Sequence, residues 1–198
     1  MLYKKQLMGS FLIHRKCPDG YRNILRKVFG MKLRNLKKKD APLMYEWMHN
    51  QDIVQNLNTD FGSKTLEDCE QFIMDSNLVE NHLHLAIVDE DDIYMGTVSL
   101  KQIDKAERIA EFAITIRSCA MGKGFSQYGM KEILRIGMEE LNLEAIYWCV
   151  SVENRRAVRF YDKNQYHRTK HVPDSLLKNY DSADLESFIW YKAENRGI

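Results

Sequence analysis

Between Ile109 and Met130 the chain reads IAEFAITIRSCAMGKGFSQYGM. This stretch constrains the fold more than any other. It begins with a nearly unbroken apolar run that stops at Arg117 and carries one acid, Glu111. A run of that kind is a strand covered on both faces, so it lies inside a sheet with helices above and below. Gly122 and Gly124 follow, and a helical stripe of Met130, Ile133, Leu134, Met138 and Leu141 starts at once. The first turn of a helix has unpaired N–H groups and a positive dipole end. Glycines just before it let a ligand come close to the backbone. The Gly-Lys-Gly segment is therefore either an anion site suited to phosphate or a plain turn. It is no P-loop, since GxxxxGK[ST] is missing, and no dinucleotide fingerprint, which would need glycine where Gln127 stands.

The other periodic segments surround this centre. "MKLRNL" alternates as a strand, and Asp40 is placed to cap a helix with Pro42 in its first turn and Leu43, Trp47 and Met48 on its apolar side. A short helix at about 52–57 runs into the polar loop NTDFGSK. Thr65 and Asp68 have capping-box spacing for a helix with Leu66, Cys69, Phe72 and Ile73. "HLHLAIV" and "IYMGTVSLK" read as two strands joined by a solvated tip, Asp89 to Asp92. His82 and His84 share one strand face and read as exposed polar positions rather than a metal pair. "AIYWCVSV" is a strand, Asn154 opens a helix, and weak strands at 166–171 and in "SFIWYKA" end the chain. The order is βαα, βββ, α, β, α, ββ. This predicts one α/β domain at 31–198 with a mixed, mostly antiparallel sheet and helices on both faces.

Length and composition agree. The chain has 198 residues, is 44% apolar and carries a formal net charge of +1. That suits one globular domain and gives no reason to expect a nucleic-acid partner. No apolar run approaches the ~20 residues of a membrane span. Cys17, Cys69, Cys119 and Cys149 are scattered, as reduced thiols of a cytoplasmic protein would be, and form no zinc pattern. Residues 1–30 are basic, with Lys4, Lys5, Arg15, Lys16, Arg22, Arg26 and Lys27 against Asp19. They read as an N-terminal extension: a basic arm that is solvated or docks, an added helix, or an upstream extension of the reading frame.

One strand after the glycine turn comes VSVENRRAVRFYDKNQY. Asn154 caps its helix, and Tyr161 lies two turns further along the same face. A buried strand, an anion-binding turn and an Asn-to-Tyr helix face in this order resemble the GCN5-related N-acetyltransferase (GNAT) superfamily. The resemblance spans about 31–194 and is most specific over 108–166. The family's R/Q-x-x-G-x-G/A, which cradles the pyrophosphate of acetyl-CoA, is met by Met121, Gly124 and Ser126. Met121 thus replaces the usual Arg or Gln, and Ser126 the last small residue. Its N-x-x-A-x-x-x-Y-x-K-x-G-F is met by Asn154, Ala157, Tyr161 and Lys163, with Gln165 and Tyr166 in place of Gly-Phe. "AEFAITI", "GKGFS" and "VENRRAVRFY" look most like the branch of spermidine acetyltransferases and ribosomal-protein alanine acetyltransferases.

The resemblance implies direct transfer of acetyl from acetyl-CoA to an amine, with no metal required. The implied cofactor site consists of the turn Met121, Gly122, Lys123, Gly124, Phe125, Ser126 and Gln127, the strand backbone of Ile114, Thr115 and Ile116, and Asn154, Arg156, Ala157, Phe160, Tyr161 and Lys163 on the second helix. Tyr161 matches the family's general acid, or is a tyrosine packed on the sheet. Glu111 resembles the acid beside the acceptor, or is a structural carboxylate paired with Arg108 or Arg117. Asp60 and Phe112 are further acceptor-site candidates, and Glu67 lines the pocket or solvates a helix. Cys149 lacks a nearby His in sequence and reads as a core residue. The expected acceptor is the primary amine of a small molecule, a polyamine or an amino sugar. Protein N-terminal acetylation and a non-catalytic CoA sensor remain alternatives, and the chain is allowed to form a homo-oligomer.

Overall fold

The structure is a computed structural model that describes residues 30–55, 57, 60–76, 78–181 and 185–195. All but the last residue of the predicted basic extension lies outside them. The sheet has seven strands: β1 (Lys32–Asn35), β2 (Leu83–Val88), β3 (Tyr94–Asp104), β4 (Ile109–Ile116), β5 (Ala145–Ser151), β6 (His167–Arg168) and β7 (Phe188–Glu194). Their order is β1-β2-β3-β4-β5-β7-β6, and only β4 and β5 run parallel. That pair needs a crossover, supplied by helix α4 (Phe125–Arg135), which continues as a π turn over Ile136–Glu140. Helix α5 (Arg155–Lys163) leads from β5 to the edge strand β6.

Alternation along the strands sorts the core into two layers. Leu85, Ile87, Val98, Leu100, Phe112, Ile146, Trp148 and Tyr191 pack with Met130 and Ile133 of α4 and Tyr161 of α5. The other face carries Ala86, Val88 and Tyr94 under α1 (Ala41–Met48), α2 (Gln51–Val54) and α3 (Leu66–Asp75). On that face β3 and β4 set Thr97 opposite Thr115, Ser99 opposite Ala113 and Lys101 opposite Glu111. The mixed sheet with helices on both faces is as expected, and a short helix α6 (Asp174–Leu177) is added before β7.

Two local expectations are corrected. Asp40 bonds no N–H of α1, because it already has helical backbone angles and its side chain cannot fold back onto the first turn. It instead accepts both Nη atoms of Arg34, at 2.7 and 2.8 Å, and the N–H of Lys37. The acidic tip is not simply solvated either. Asp92, at φ 60°, draws in Arg34 at 2.6 Å, Lys39 at 2.7 Å and Lys37 at 3.3 Å. The Lys39 and Arg34 hydrogen bonds hold its carboxyl far below the usual carboxylate range. The Thr65–Asp68 capping box forms as predicted, with both reciprocal bonds near 3 Å.

Candidate active site

The ladder between β4 and β5 is short. It pairs Ile109 with Ala145, Ala110 with Ile146 and Glu111 with Tyr147, and then stops. Beyond it β4 stays bonded to β3 as far as Ile116, and β5 to β7 as far as Ser151. Two strand edges therefore face each other without bonding, from Phe112 and Trp148 onward. Each edge keeps N–H and C=O groups that need partners. Solvent reaches Ala113, Ile114 and Thr115 here, although β4 is a central strand.

The glycine turn lies at the C-terminal end of β4. Gly122 and Gly124 have φ of 74° and 92°, the left-handed region that side chains disfavour. The N–H groups of Met121 and Lys123 are used within the turn, bonding Ser118 and Ala120. Those of Gly124, Phe125, Ser126 and Gln127 have no partner among the described residues, and the first bond of α4 runs from Tyr128 to Gly124. Phe125 is buried and fixes the helix start, while Ser126 and Gln127 face outward. From the facing helix, Arg156 reaches over and sets its Nη1 2.8 Å from Met121 Sδ. A guanidinium thus stands beside the position where the family pattern has Arg or Gln. Lys123 and Lys163 are exposed.

Helix α5 is fixed at both ends. Asn154 Oδ1 accepts the N–H of Ala157 at 3.1 Å, a side-chain N-cap. At the far end Gln165 N–H bonds Asp162 O and Tyr166 N–H bonds Tyr161 O, which together form a Schellman motif. Gln165 adopts φ 60°, so it takes the glycine-like conformation without being glycine. Tyr161 is 7% exposed and enclosed by Trp148, Phe160, Tyr166 and Tyr191, with ring centroids 5.1–6.2 Å away. Its hydroxyl bonds no other described residue, and burial raises its pKa, so it stays protonated. Trp148 Nε1–H, in the same aromatic group, is a buried donor with no partner among the described residues.

On the opposite face of the sheet stands Glu111, 4% exposed. Neither expected arginine reaches it: Arg108 binds Asn142 and Glu144, and Arg117 binds Glu46 and Tyr94 O. Its partners are Lys101 Nζ at 2.7 Å, Tyr180 Oη at 2.9 Å and Gln102 Nε2 at 3.1 Å. Gln102 reaches it from a β-bulge with φ 50°. Cys149 donates to Tyr180 Oη at 3.3 Å, and burial pushes its thiol up to about 11, so it is no ready nucleophile. His82 and His84 are half-buried and stacked, not exposed, and His84 Nδ1 is 2.7 Å from Ser99 Oγ. Burial pushes His84 down to about 4, with the charges of His82 and Lys101 adding.

Ile114, Thr115, Ile116 and the glycine turn thus lie on or beyond the stretch of β4 that β5 no longer pairs, Arg156 of α5 reaches the turn, and Glu111 stands where the ladder ends. Phe112 lies on the face away from Glu111, edge-on to Trp148 at 5.5 Å. Asp60 is exposed on the loop before α3 and touches none of the Glu111 group. Lys101, Gln102 and Tyr180 escaped the sequence reading. Strand register brings the first to Glu111, a bulge the second, and Tyr180 lies in a stretch without periodicity.

Free N–H groups at one end, unpaired strand edges along the middle and a buried phenol nearby suit a long ligand with a phosphate end and an amide arm. With the mixed seven-stranded sheet, this arrangement is that of an acyltransferase domain. The acetyltransferase (GNAT) domain family matches residues 31–167, and the chain belongs to that family of N-acetyltransferases. Spermidine N(1)-acetyltransferase from Escherichia coli is 29% identical over 139 residues, covering 68% of this chain and 71% of that protein. The solved spermidine N-acetyltransferase from Vibrio cholerae, in complex with CoA and spermine, superposes with a TM-score of 0.67. It shares 22% identity over 83% of this chain and 94% of that one. A dodecameric structure of the Vibrio cholerae enzyme gives a TM-score of 0.63 at 22% identity, covering 84% and 94%.

Proposed function

We propose that this chain acetylates a primary amine of a polyamine, using acetyl-CoA and direct transfer. The observation that carries the reading is the end of the β4–β5 ladder at Glu111 and Tyr147. It leaves an open strand edge between an anion-binding turn and a buried carboxylate. The free N–H groups of Gly124 to Gln127 and the Arg156 guanidinium would hold the pyrophosphate, with Lys123 and Lys163 adding charge. Asn154, Ala157 and Phe160 shape the wall on α5. The edge of Ile114, Thr115 and Ile116 would pair with the pantetheine amides. When bound, acetyl-CoA supplies an acetyl group on a thioester.

Glu111 attracts the acceptor's ammonium and takes its proton, which frees the nitrogen lone pair for the acetyl carbon. A backbone N–H near Ile114 donates to the carbonyl oxygen as it becomes negative. The C–N bond forms, the C–S bond breaks, and Tyr161 gives its hydroxyl proton to the departing thiolate. The second proton shed by the new amide nitrogen restores the phenol, while Glu111 returns its proton to solvent. No metal enters this scheme. The polyamine assignment is supported by the named activity of the relatives and by the buried acid at the end of the cleft. The reduced cysteines suit a cytoplasmic setting. Exposed Phe72, Met74, Leu78 and Val79, with the dodecameric neighbour, support self-association, which light scattering would test.

The deciding experiment is a panel of spermidine, spermine, glucosamine and an alanine-terminated peptide with acetyl-CoA, reading free thiol. Thiol release with spermidine and spermine is expected. Release with the peptide alone would assign protein N-terminal acetylation. Stabilisation by acetyl-CoA without turnover on any amine would make the chain a CoA sensor.

A further inference from the structure

Glu111 already holds an ammonium. Lys101 Nζ sits 2.7 Å from Oε1, in the position a substrate cation would take on the reading above. The three donors on this carboxylate differ in freedom. Tyr180 is wedged edge-on against Phe188 and Trp190, with centroids 5.8 and 5.1 Å away. Gln102 is fixed by its bulge and accepts a bond from Asn179. Lys101 hangs on a flexible four-carbon stem with 36% of its side chain in solvent, whereas that of Glu111 is 5% exposed. Only Lys101 can leave without taking the wall apart. Ala113 and Thr115, on the same face as Glu111, are small and lead towards the open strand edge.

We propose that Lys101 is a resident occupant of the acceptor's cation seat and sets the apparent affinity for amines by competing with them for Glu111. The end of a polyamine is an alkylammonium, the same chemical group as the end of a lysine side chain. It carries the same charge and the same three donors. Two ammonium groups at one carboxylate repel, so the seat takes one or the other. The apparent dissociation constant for the amine is then its intrinsic value divided by the fraction of time the seat is free. Lys101 also keeps the buried carboxylate paired when no substrate is present, which an empty seat would not. The inference rests on Glu111 as the acceptor's carboxylate.

Lys101→Met keeps the stem and removes the charge. It should lower KM for spermidine about threefold to tenfold, as expected when an occupied seat is freed. Spermidine should also raise the Tm of Lys101→Met more than that of the wild type, a readout that needs no turnover. Lys101→Arg, which keeps a cation, should return KM towards the wild-type value. A KM that rises or stays put, with no larger gain in Tm, would overturn the proposal and make Lys101 a strut for Glu111. If Lys101→Met is too unstable to assay, the double variant Lys101→Met/Glu111→Gln removes both charges and should lose the spermidine shift. A shift retained there would put the amine elsewhere and overturn the proposal too. Failure of the polyamine reading looks different: no amine releases thiol, while the Tm comparison still reports on the seat.

Discussion

Tyr161 and Glu111 stand on opposite faces of the sheet at the point where β4 and β5 separate. One has no hydrogen-bond partner among the described residues, and the other has three. The phenol is free to act on whatever enters beside it. Tyr161→Phe keeps the ring in its aromatic cage and removes the proton. It should lower kcat and kcat/KM together by ~10²-fold or more, the range for one general acid. The acetyl-CoA-induced gain in Tm should survive, and turnover within a fewfold of wild type would make Tyr161 a packing residue. His84 gives a second prediction at this scale. The fold lowers its pKa to about 4 from the ordinary 6.5. Below pH 6.5 the unfolded chain takes up a proton that the native ring refuses, so the stability present above pH 6.5 is lost as pH falls towards 4. The ring is partly solvated, so the loss is discounted to about 1–2 kcal/mol. His84→Gln, which can still reach Ser99, should flatten Tm over that window, and an unchanged slope would assign the loss to other groups. The buried helix position of Tyr161 was legible from its spacing to Asn154. His84 was not, because alternation alone does not tell whether Phe72 covers the ring, as it does at 4.9 Å.

At the scale of elements, the proposed anion site is a strand end, a turn and a helix start in one continuous segment. The turn was readable from sequence for that reason: the positive φ of Gly122 and Gly124 is a local property. A methyl on Gly122 would meet nothing, and one on Gly124 only Met31 Cε at 3.7 Å. The constraint there is backbone conformation and ligand approach, not packing. Gly124→Val should therefore fold with a modest loss of stability but lose most of the acetyl-CoA-induced rise in Tm. A full-sized shift in that variant would mean the phosphates lie elsewhere. Helix α5 shows the converse. Gln165 breaks the expected Gly-Phe pattern, yet the Schellman bonds form around it. The motif's geometry persists and a strained residue occupies it. Gln165→Gly should raise stability by about 0.5–1 kcal/mol, the left-handed penalty relieved less the entropy of glycine, as read by thermal melts. A lower Tm would show that the Gln165 side chain contributes more than its backbone strain costs. The Glu111 group was illegible because it depends on the pairing of β3 with β4, a bulge, and a non-periodic segment beyond α6. None of these is written in local propensity.

At the scale of the molecule, the described core begins at β1. Leu33 and Leu36 bury against the two layers, and Arg34 fastens β1 to Asp40 and Asp92. Among the described residues Met31 is the first packed on the core, and its methyl lies closest to where a Gly124 side chain would project. Every group proposed to bind or react follows it in the chain. The family match starts at the same residue. A protein beginning at Met31 should therefore fold with a Tm within a few degrees of the full chain, since no buried contact described above is removed and surface losses rarely exceed ~0.5 kcal/mol. It should also keep the acetyl-CoA-induced shift. The seven cations of the first thirty residues would then act outside the catalytic domain, on solubility or on a partner. Insoluble protein, or soluble protein that acetyl-CoA does not stabilise, would instead make the basic segment part of the catalytic unit. A shortened protein that binds acetyl-CoA normally but sediments as a smaller particle would assign the segment to assembly. Measuring thermal shift and mass on one preparation distinguishes the three results.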